Sequence, residues 1–499
     1  MRGHRPSPWR GTVAATAALA LSVLVAGCGD GAAGKRTLQL SECRLPRLPM
    51  AAQCGNLDVP EDRARPDGRR IRLFVAVLPA NTLTPKRDPL FILAGGPGQA
   101  ASHLGPFAAQ LNGVRKDRDI VLVDQRGTGR SAPLTCDAFK FDERDIDAAL
   151  ELDPVPRARA CAEELAAQGV DAAQYTTAAW IADLDAVRTA LGYDRINLWG
   201  GSYGSRAAME YARRHPDRVR SLVLDSVAPP DMRISLEIWP TRDAVLDDVF
   251  AACKASAACR EAHPDLAGEL AALKTRLGAG RDVTLADPRT GEVRTQKLGF
   301  DHVVGALQPL TYLPELQVLI PEIVGRAAKD DFGPLYAAAA LVTGDLADQM
   351  NGALHYSVTC AEDVPRIAPG EADAVLAGVR TRELAQRLLA VCAVWPKGTQ
   401  PADATAPLVA DTPTLILSGG LDPVTPPANG ARVAKSLPNS RHVVAGGYAH
   451  IVSPHACAPR LIASFVDHPD FSTLSQDCVD HLANSRRPPL WPGRMGPAP

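Results

Sequence analysis

The sequence has almost no net charge, no long run of lysine or arginine, and no visible internal repeat. Its 54 Lys and Arg residues nearly balance 56 Asp and Glu residues, and the formal net charge is −2. A nearly neutral chain without a basic patch gives no electrostatic reason to expect a nucleic acid as a partner. The charge balance does not indicate a class of substrate.

Two familiar kinds of site motif are also missing. No two cysteines have the C-x-x-C spacing of a zinc site. The glycine-rich stretch 94–98 contains neither G-x-G-x-x-G nor a terminal Gly-Lys-Ser/Thr, so it does not match a phosphate-binding loop. We therefore expect no metal and no other cofactor.

Residues 1–27 have the pattern of an export signal, in which a basic start precedes an apolar stretch that ends in small residues. The end of this stretch and the following Cys28 resemble a bacterial lipobox, in which the cysteine is lipidated. We expect a lipid-anchored protein of the cell envelope, with residues 28–40 as a tether. The alternative is a plain secretory signal cleaved near Ala26–Cys28. No other segment approaches the roughly 20 apolar residues of a membrane span.

Cysteine usage agrees with export. The chain has eleven cysteines, and setting Cys28 aside leaves an even number for a compartment in which disulfides persist. Sequence alone permits on the order of a thousand connectivities, so pairing between sequence neighbours is a hypothesis. That hypothesis joins Cys43 to Cys54, Cys136 to Cys161, Cys253 to Cys259, Cys360 to Cys392, and Cys457 to Cys478.

Apolar runs of strand length alternate with helical patterns along much of the chain. Strand-like runs occur at 71–80, 88–99, 118–131, 196–201, 219–227, 412–420 and 441–447. The spacing predicts a helix over 181–192, another after residue 202 and a final one over 459–468. This alternation is typical of an α/β fold, with a mostly parallel sheet covered by helices on both faces.

The alternation stops between residues 228 and 405, where an Ala-rich, helical pattern surrounds one β-type stretch at 283–298. Because the sheet pattern returns afterwards, we interpret 228–405 as a helical cap inserted into a core of 41–227 and 406–485. A separate domain in tandem is the alternative. Residues 486–499 form a Pro-rich tail.

The stretch INLWGGSYGSRAA matches the G-x-S-x-G nucleophile elbow at Ser202. Small residues on either side let a strained serine sit on a tight turn between a strand and a helix. The motif by itself also occurs in ordinary Gly-rich loops. Its position here, after a strand-like run and before a helical one, favours a catalytic serine.

A nucleophilic serine needs a general base and an acid that orients it. Where such an elbow occurs, the chain order is serine, then acid, then histidine. Asp422 follows the strand after the insertion, and His450 follows the last strand. We expect these two to complete a triad with Ser202. The rivals are Asp411 for the acid, and His455, His442 and His468 for the base.

The reaction also needs two backbone N–H groups that stabilise the negatively charged oxygen of the intermediate. One should come from Tyr203, directly after the nucleophile, and the other from the early loop AGGPG. Glycine permits close backbone approach and positive φ, and Gly96 is our choice for the second donor.

Together, AGGPG, DQRGTGRS, GGSYGS, GLDPVTP and GGYAH resemble the exported α/β-hydrolases related to tripeptidyl aminopeptidases and prolyl aminopeptidases, over roughly residues 40–480. One departure is Ala94, where prolyl aminopeptidases usually have histidine. The resemblance implies an α/β-hydrolase fold and a serine exopeptidase that acts on free peptide N-termini. It also implies an anion for the substrate amine, for which Glu362, Asp363 and Glu237 are candidates.

Structural roles remain the alternative for each of these three carboxylates. We further expect Asp124 and Arg126 of DQRGTG to pair and brace the loop beside the site. Two other functions stay open on the same sequence. One is a carboxylesterase or other acyl hydrolase with the same triad, and the remote one is a non-catalytic surface lipoprotein. The oligomeric state is not predicted.

Overall fold

A computed structural model describes residues 36–140, 154–288, 290–347 and 349–491. The expected signal segment, Cys28 and most of the tether lie outside these ranges, as does the end of the Pro-rich tail. Within the described ranges, no helix combines the length and apolar character needed to cross a membrane.

The core is a nine-stranded sheet with the order β1-β2-β3-β5-β4-β6-β7-β10-β11. Its strands are β1 Ser41–Cys43, β2 Ala52–Pro60, β3 Arg70–Leu78, β4 Lys86–Leu93, β5 Arg118–Val123, β6 Ile196–Gly201, β7 Val219–Asp225, β10 Thr414–Gly419 and β11 Ser440–Ala445. The six strands from β5 to β11 in the sheet order run parallel to one another. β1, β2 and β3 form an antiparallel end that joins β5.

Strands β1 and β2 were not predicted from the sequence. β2 is only partly buried, and its two exposed residues, Asn56 and Asp58, are poor strand formers. Pairing with β3 along its whole length, from Gln53 opposite Val77 to Pro60 opposite Arg70, supplies the backbone hydrogen bonds that hold it as a strand.

Both faces of the sheet are buried, which explains why its central strands are apolar throughout. In β3, Leu73 and Val75 pack in the core on one face, while Phe74 and Ala76 pack on the other. Helices cover both faces. The prediction of a mostly parallel sheet between two helical layers is therefore confirmed.

Eighteen α-helices lie within the described ranges. Before the insertion these are Gly105–Gln110, Asn112–Arg115, Pro154–Ala167, Thr177–Ala190 and Tyr203–Arg214. Between 228 and 405 they are Ile234–Ala255, Ala257–Ala262, Leu266–Leu277, Phe300–Leu307, Pro314–Gln317, Ile320–Ala327, Gly333–Ala347, Gly352–Glu362, Glu371–Val375 and Arg382–Ala390. After it come Pro427–Ala434, Ala458–Asp467 and Gln476–Ala483.

The inserted segment combines these helices with a hairpin of β8 Arg281–Ala286 and β9 Val293–Leu298. Much of it packs in an apolar cluster of its own, from Leu246 to Ala339. Its last part differs, because Leu354, Cys360 and Trp395 share a cluster with core residues that include Tyr203. The insertion therefore meets the core next to the predicted nucleophile.

The C-terminal helix Gln476–Ala483 is a further element that the sequence analysis missed. Ser475 caps it by accepting a hydrogen bond from the Cys478 N–H, and Val479 and Leu482 cover the sheet. Eight residues with three in the core make a pattern too short to separate from a loop by periodicity.

Five disulfides join the cysteines of the described ranges, and in each pair the two cysteines are neighbours in the sequence order of cysteines. The pairs are Cys43–Cys54, Cys136–Cys161, Cys253–Cys259, Cys360–Cys392 and Cys457–Cys478. Cys457–Cys478 holds the C-terminal helix beside the loop that follows β11. Cys360–Cys392 closes the segment that packs against Tyr203.

Candidate active site

Ser202 lies between the end of β6 and the helix Tyr203–Arg214, with φ 56° and ψ −126°. A positive φ is uncommon for serine and marks a strained turn. Steric crowding explains the flanking glycines. A Cβ on Gly200 would lie 2.3 Å from the Gly204 oxygen, and one on Gly204 would lie 2.1 Å from the Leu93 oxygen.

Asp422 and His450 meet beyond the carboxyl ends of β10 and β11. The His450 Nδ1 lies 3.0 Å and 2.9 Å from the two oxygens of the Asp422 carboxylate. That carboxylate also accepts hydrogen bonds from the N–H groups of Val424 and Thr425 and from the Thr425 hydroxyl. Burial alone would raise its pKa, but His450 and these donors together hold the pKa of Asp422 below its usual value.

The rival histidines have other surroundings. The His455 ring lies against Tyr448, with 5.2 Å between the ring centroids. His442 Nε2 contacts the Ser418 hydroxyl at 3.0 Å. His468 is 70% exposed beside Asp467 at the end of a surface helix. The rival acid, Asp411, is exposed before β10 begins.

The loop that carries His450 is fastened to β7 by residues that the sequence analysis missed. Asp225, at the end of β7, accepts hydrogen bonds from the N–H groups of Val452 at 3.0 Å and Ser453 at 2.7 Å. The neighbouring Ser226 accepts one from the Ile451 N–H at 2.8 Å. Ile451 has φ 69°, which is strained for a β-branched residue.

These contacts also bring the histidine loop to Ser202, the predicted nucleophile. A Cβ on Gly201 would lie 3.0 Å from Ile451 Cδ1, so the residues next to Ser202 and His450 pack together. The Trp199 indole donates to the Ser453 hydroxyl at 2.8 Å. Asp225 is fully buried, and this burial raises the pKa of its carboxyl. An acidic residue ending an apolar strand was the available sequence signal.

The AGGPG loop passes directly over Ser202. A Cβ on Gly95 would lie 3.1 Å from the Ser202 Cβ and 3.7 Å from its Oγ. Gly96 has φ 109°, in the region that favours glycine. In the described part of the chain, no backbone or side-chain acceptor is found for the Gly96 N–H. The Tyr203 side chain is completely buried behind the elbow.

The inserted segment touches the histidine and the acid from the other side. The Tyr312 carbonyl accepts a hydrogen bond from the His450 N–H at 3.2 Å, and the two rings meet edge to face. Arg242 donates to the Tyr312 hydroxyl at 2.6 Å. Gln317 reaches the carbonyl of Leu421, beside Asp422, at 3.5 Å. None of these contacts was predicted from the sequence, because they join distant parts of the chain.

The three carboxylates expected near a substrate amine differ in their surroundings. Glu362 and Asp363 are buried. Each already uses both oxygens, Glu362 with Thr177, and Asp363 with arginines and the Ser235 N–H. Glu237 is 34% exposed and accepts hydrogen bonds from Arg233.

The expected pairing of Asp124 with Arg126 is wrong. Asp124 instead accepts hydrogen bonds from the backbone and hydroxyl of Ser102 and from the Arg130 N–H. Arg126 forms a fully buried, two-bond ion pair with Asp183. Both residues therefore brace the loop, but each does so through other partners: Asp124 through Ser102 and Arg130, and Arg126 through Asp183.

The sequence profile of the family described as "alpha/beta hydrolase fold" matches residues 88–454. The chain belongs to the α/β-hydrolase fold family. The nine-stranded sheet agrees with that membership, and so does the position of the elbow between a strand and a helix.

Relatives of this hydrolase include peptidases. The serine protease Hip1 of Mycobacterium tuberculosis is 28% identical over 430 residues, covering 79% of this chain and 81% of that protein. The tripeptidyl aminopeptidase of Streptomyces lividans is 34% identical over 200 residues, covering 37% of this chain and 36% of that protein. The crystal structure of a proline iminopeptidase from Mycobacterium smegmatis aligns with a TM-score of 0.40 at 18% identity, covering 84% of this chain and 99% of that chain.

The expected resemblance to aminopeptidase-type α/β-hydrolases is confirmed by the two relatives matched in sequence. The protein is a serine hydrolase. Within the ranges described, no cluster of three or more His, Cys, Asp or Glu side chains has the arrangement of a metal site.

The contacts of the Asp225 carboxylate predict that Asp225→Asn impairs catalysis, although this side chain bonds to the histidine loop and only the backbone carbonyl of Asp225 contacts Ser202. The amide can accept from one of the two N–H groups, but its own NH₂ faces the other donor. We expect kcat to fall about tenfold or more as the histidine loop shifts, with KM little changed. Steady-state kinetics on the purified variant measures this. Asp411→Asn, at an exposed position before the neighbouring strand β10, is the control, and equal kinetics for both variants would contradict the assignment.

Proposed function

We propose that this serine hydrolase is an exported aminopeptidase that uses Ser202, His450 and Asp422 as its triad. The observation that carries the proposal is the contact of the His450 Nδ1 with both oxygens of Asp422, beside a strained serine elbow. A buried acid with a lowered pKa stays ionised and orients the imidazole, so that the other ring nitrogen is available as a base.

In the proposed mechanism, Ser202 Oγ attacks the scissile carbonyl carbon while its proton moves to His450 Nε2. The carbonyl oxygen becomes negatively charged and is stabilised by the N–H groups of Gly96 and Tyr203. His450 then returns the proton to the leaving amine as the C–N bond breaks. A water molecule, deprotonated by His450, hydrolyses the acyl-enzyme and restores Ser202.

The names of the relatives support a peptide substrate for this chain. The proposed enzyme releases residues or short peptides, including tripeptides, from free N-termini. Of the three expected carboxylates, we propose Glu237 as the one that binds the free amine of the substrate. It is partly exposed and lies on the helix Ile234–Ala255, which also carries Arg242 toward Tyr312 beside His450. Glu362 and Asp363 would have to give up existing bonds.

The proposed location is the cell envelope, on the periplasmic or extracellular side of a membrane, with a lipid on Cys28. The basic and apolar pattern of residues 1–27 and the lipobox-like end support this proposal. Five disulfides are consistent with an oxidising compartment. Two or more acyl chains anchor a protein stably, whereas a single chain binds reversibly.

The triad predicts that Ser202→Ala and His450→Ala each lower kcat on tripeptidyl amides by at least about 10⁴-fold. His455→Ala, five residues from the base, is the matched control and should retain activity near that of the wild type. Hydrolysis of chromogenic aminoacyl amides, tripeptidyl amides and short acyl esters should be compared in parallel. Ester cleavage without any amide cleavage would establish an esterase and overturn the aminopeptidase proposal.

Recognition of a free amine predicts that N-acetylation of the peptide lowers kcat/KM on the order of 100-fold or more, because it removes the positive charge that pairs with a carboxylate. Glu237→Gln should raise KM for the free peptide and have little effect on the acetylated one. Equal rates for free and acetylated peptides would exclude an amine site. An unchanged KM in the variant would exclude Glu237 alone.

The lipobox-like sequence predicts that Cys28→Ser releases the protein from membranes. Wild-type protein expressed with its full N-terminus should partition into detergent, and the variant should partition into the aqueous phase. Mass spectrometry of the N-terminal peptide measures the modification directly. An unmodified Cys28 in wild-type protein would contradict the anchor.

A further inference from the structure

A line of hydrogen bonds runs from the elbow to the inserted segment. The Tyr203 hydroxyl lies 2.7 Å from the Thr177 hydroxyl, which in turn donates to Glu362 Oε2 at 2.8 Å. The Thr177 N–H donates to Glu362 Oε1 at 2.7 Å. At the other end, the Gln125 amide donates to the Tyr203 hydroxyl at 3.3 Å. All four residues are at least 95% buried.

The two ends of this line fix the direction of every bond in it. An ionised carboxylate can only accept, so the Thr177 hydroxyl donates to Glu362. The Tyr203 hydroxyl must therefore donate to Thr177, and it accepts from Gln125. Each polar group then has a partner of the right kind, with Glu362 in its ionised form.

The position of Glu362 is fixed by the helix that carries it and by the helix that its carboxylate contacts. It is the last residue of the helix Gly352–Glu362, and the Cys360–Cys392 disulfide fixes that helix two residues earlier. Its carboxylate meets the first residue of the helix Thr177–Ala190, where free N–H groups favour a negative charge. A rigid part of the insertion thus reaches the residue that follows the nucleophile.

We propose that Glu362 is a positioning residue for the oxyanion hole, holding Tyr203 in place through Thr177. The inference rests on the proposed function, in which the Tyr203 N–H stabilises the negative charge of the intermediate. Such a donor acts only when it points at the place where the charge develops. The side chain and the N–H share one Cα, so a shift of the buried ring moves the donor.

The protonation state of Glu362 determines which hydrogen bonds hold the Tyr203 hydroxyl. Burial raises the pKa of Glu362 to about 7, against the Thr177 hydrogen bonds and the charge of Arg206. The other charged groups nearby are Asp363, which raises this pKa, and Glu210 and Arg366, which line a cavity of about 20 Å³ beside it. This cavity adjoins a surface cleft at Ala178, Gln400 and Pro401.

Protonation reverses the line of bonds. A neutral Glu362 donates its new proton to the Thr177 hydroxyl, which then donates to Tyr203. The Tyr203 hydroxyl is left facing the Gln125 N–H with its own proton, so one bond is lost. Tyr203 is therefore held best above about pH 7, where Glu362 is ionised.

The test compares Glu362→Gln with wild type on a tripeptidyl amide. The amide presents an NH₂ group to the Thr177 hydroxyl and mimics the protonated state at every pH. We expect kcat per active site to fall about tenfold above about pH 7, with KM within about twofold, and to approach the wild-type value at lower pH. A fluorophosphonate that labels the catalytic serine counts active sites, so partial misfolding does not count as lost catalysis.

Three further variants separate positioning from general stability. Thr177→Val removes the hydroxyl but keeps the carboxylate, and it should reproduce the loss of kcat. Thr177→Ser keeps the hydroxyl and should behave as wild type. Glu210→Gln changes a carboxylate on the same cavity, away from Tyr203, and should leave the pH profile unchanged. The double variant Glu362→Gln/Thr177→Val should lose no more kcat than either single variant, because both substitutions interrupt the same line of hydrogen bonds.

The results distinguish this inference from the proposed function. Wild-type enzyme that does not react with the fluorophosphonate at Ser202 would overturn the proposed function. Normal labelling of Ser202, with wild-type kcat and pH profile in Glu362→Gln or in Thr177→Val, would overturn the role of Glu362 alone.

Discussion

The geometry of the site depends on the fastening of the histidine loop to the sheet by one buried carboxylate. Asp225 ends β7 and accepts the N–H groups of Val452 and Ser453. In a water-free interior these hydrogen bonds are strong, and leaving either partner unsatisfied is costly. The loop therefore has one stable position, in which Ile451 packs on Gly201 and His450 faces Asp422. The Ser226 hydroxyl and the Trp199 indole add two further hydrogen bonds to the same loop, through Ile451 and Ser453.

The sheet topology explains why these residues can meet. β6, β7, β10 and β11 are consecutive neighbours and run parallel, so their carboxyl ends lie along one edge. Ser202 follows the first of these strands, Asp225 ends the second, Asp422 follows the third and His450 follows the fourth. About two hundred residues of sequence separate β7 from β10, yet the two strands pair directly. The chain leaves the sheet at this edge after β7 and returns at the opposite edge, where β10 begins and runs parallel to β7.

The insertion reaches the site from two directions. Tyr312 contacts the backbone and ring of His450, while Glu362 contacts Tyr203 through Thr177. One contact concerns the base and the other the proposed oxyanion donor. The segment expected as a cap therefore contacts residues of the candidate active site on two sides.

Sequence by itself determined the parts of this protein that depend on local geometry. The glycines around Ser202 are required by contacts within a few residues, and apolar runs with turns predicted the core strands from β3 onward. The elbow predicted that an acid and then a histidine follow Ser202 along the chain. Tertiary structure alone decided that Arg126 pairs with Asp183 rather than Asp124, and that Glu362 binds Thr177. A buried charge must be paired with whatever the fold brings to it, and those partners lie too far along the chain for any local pattern to record.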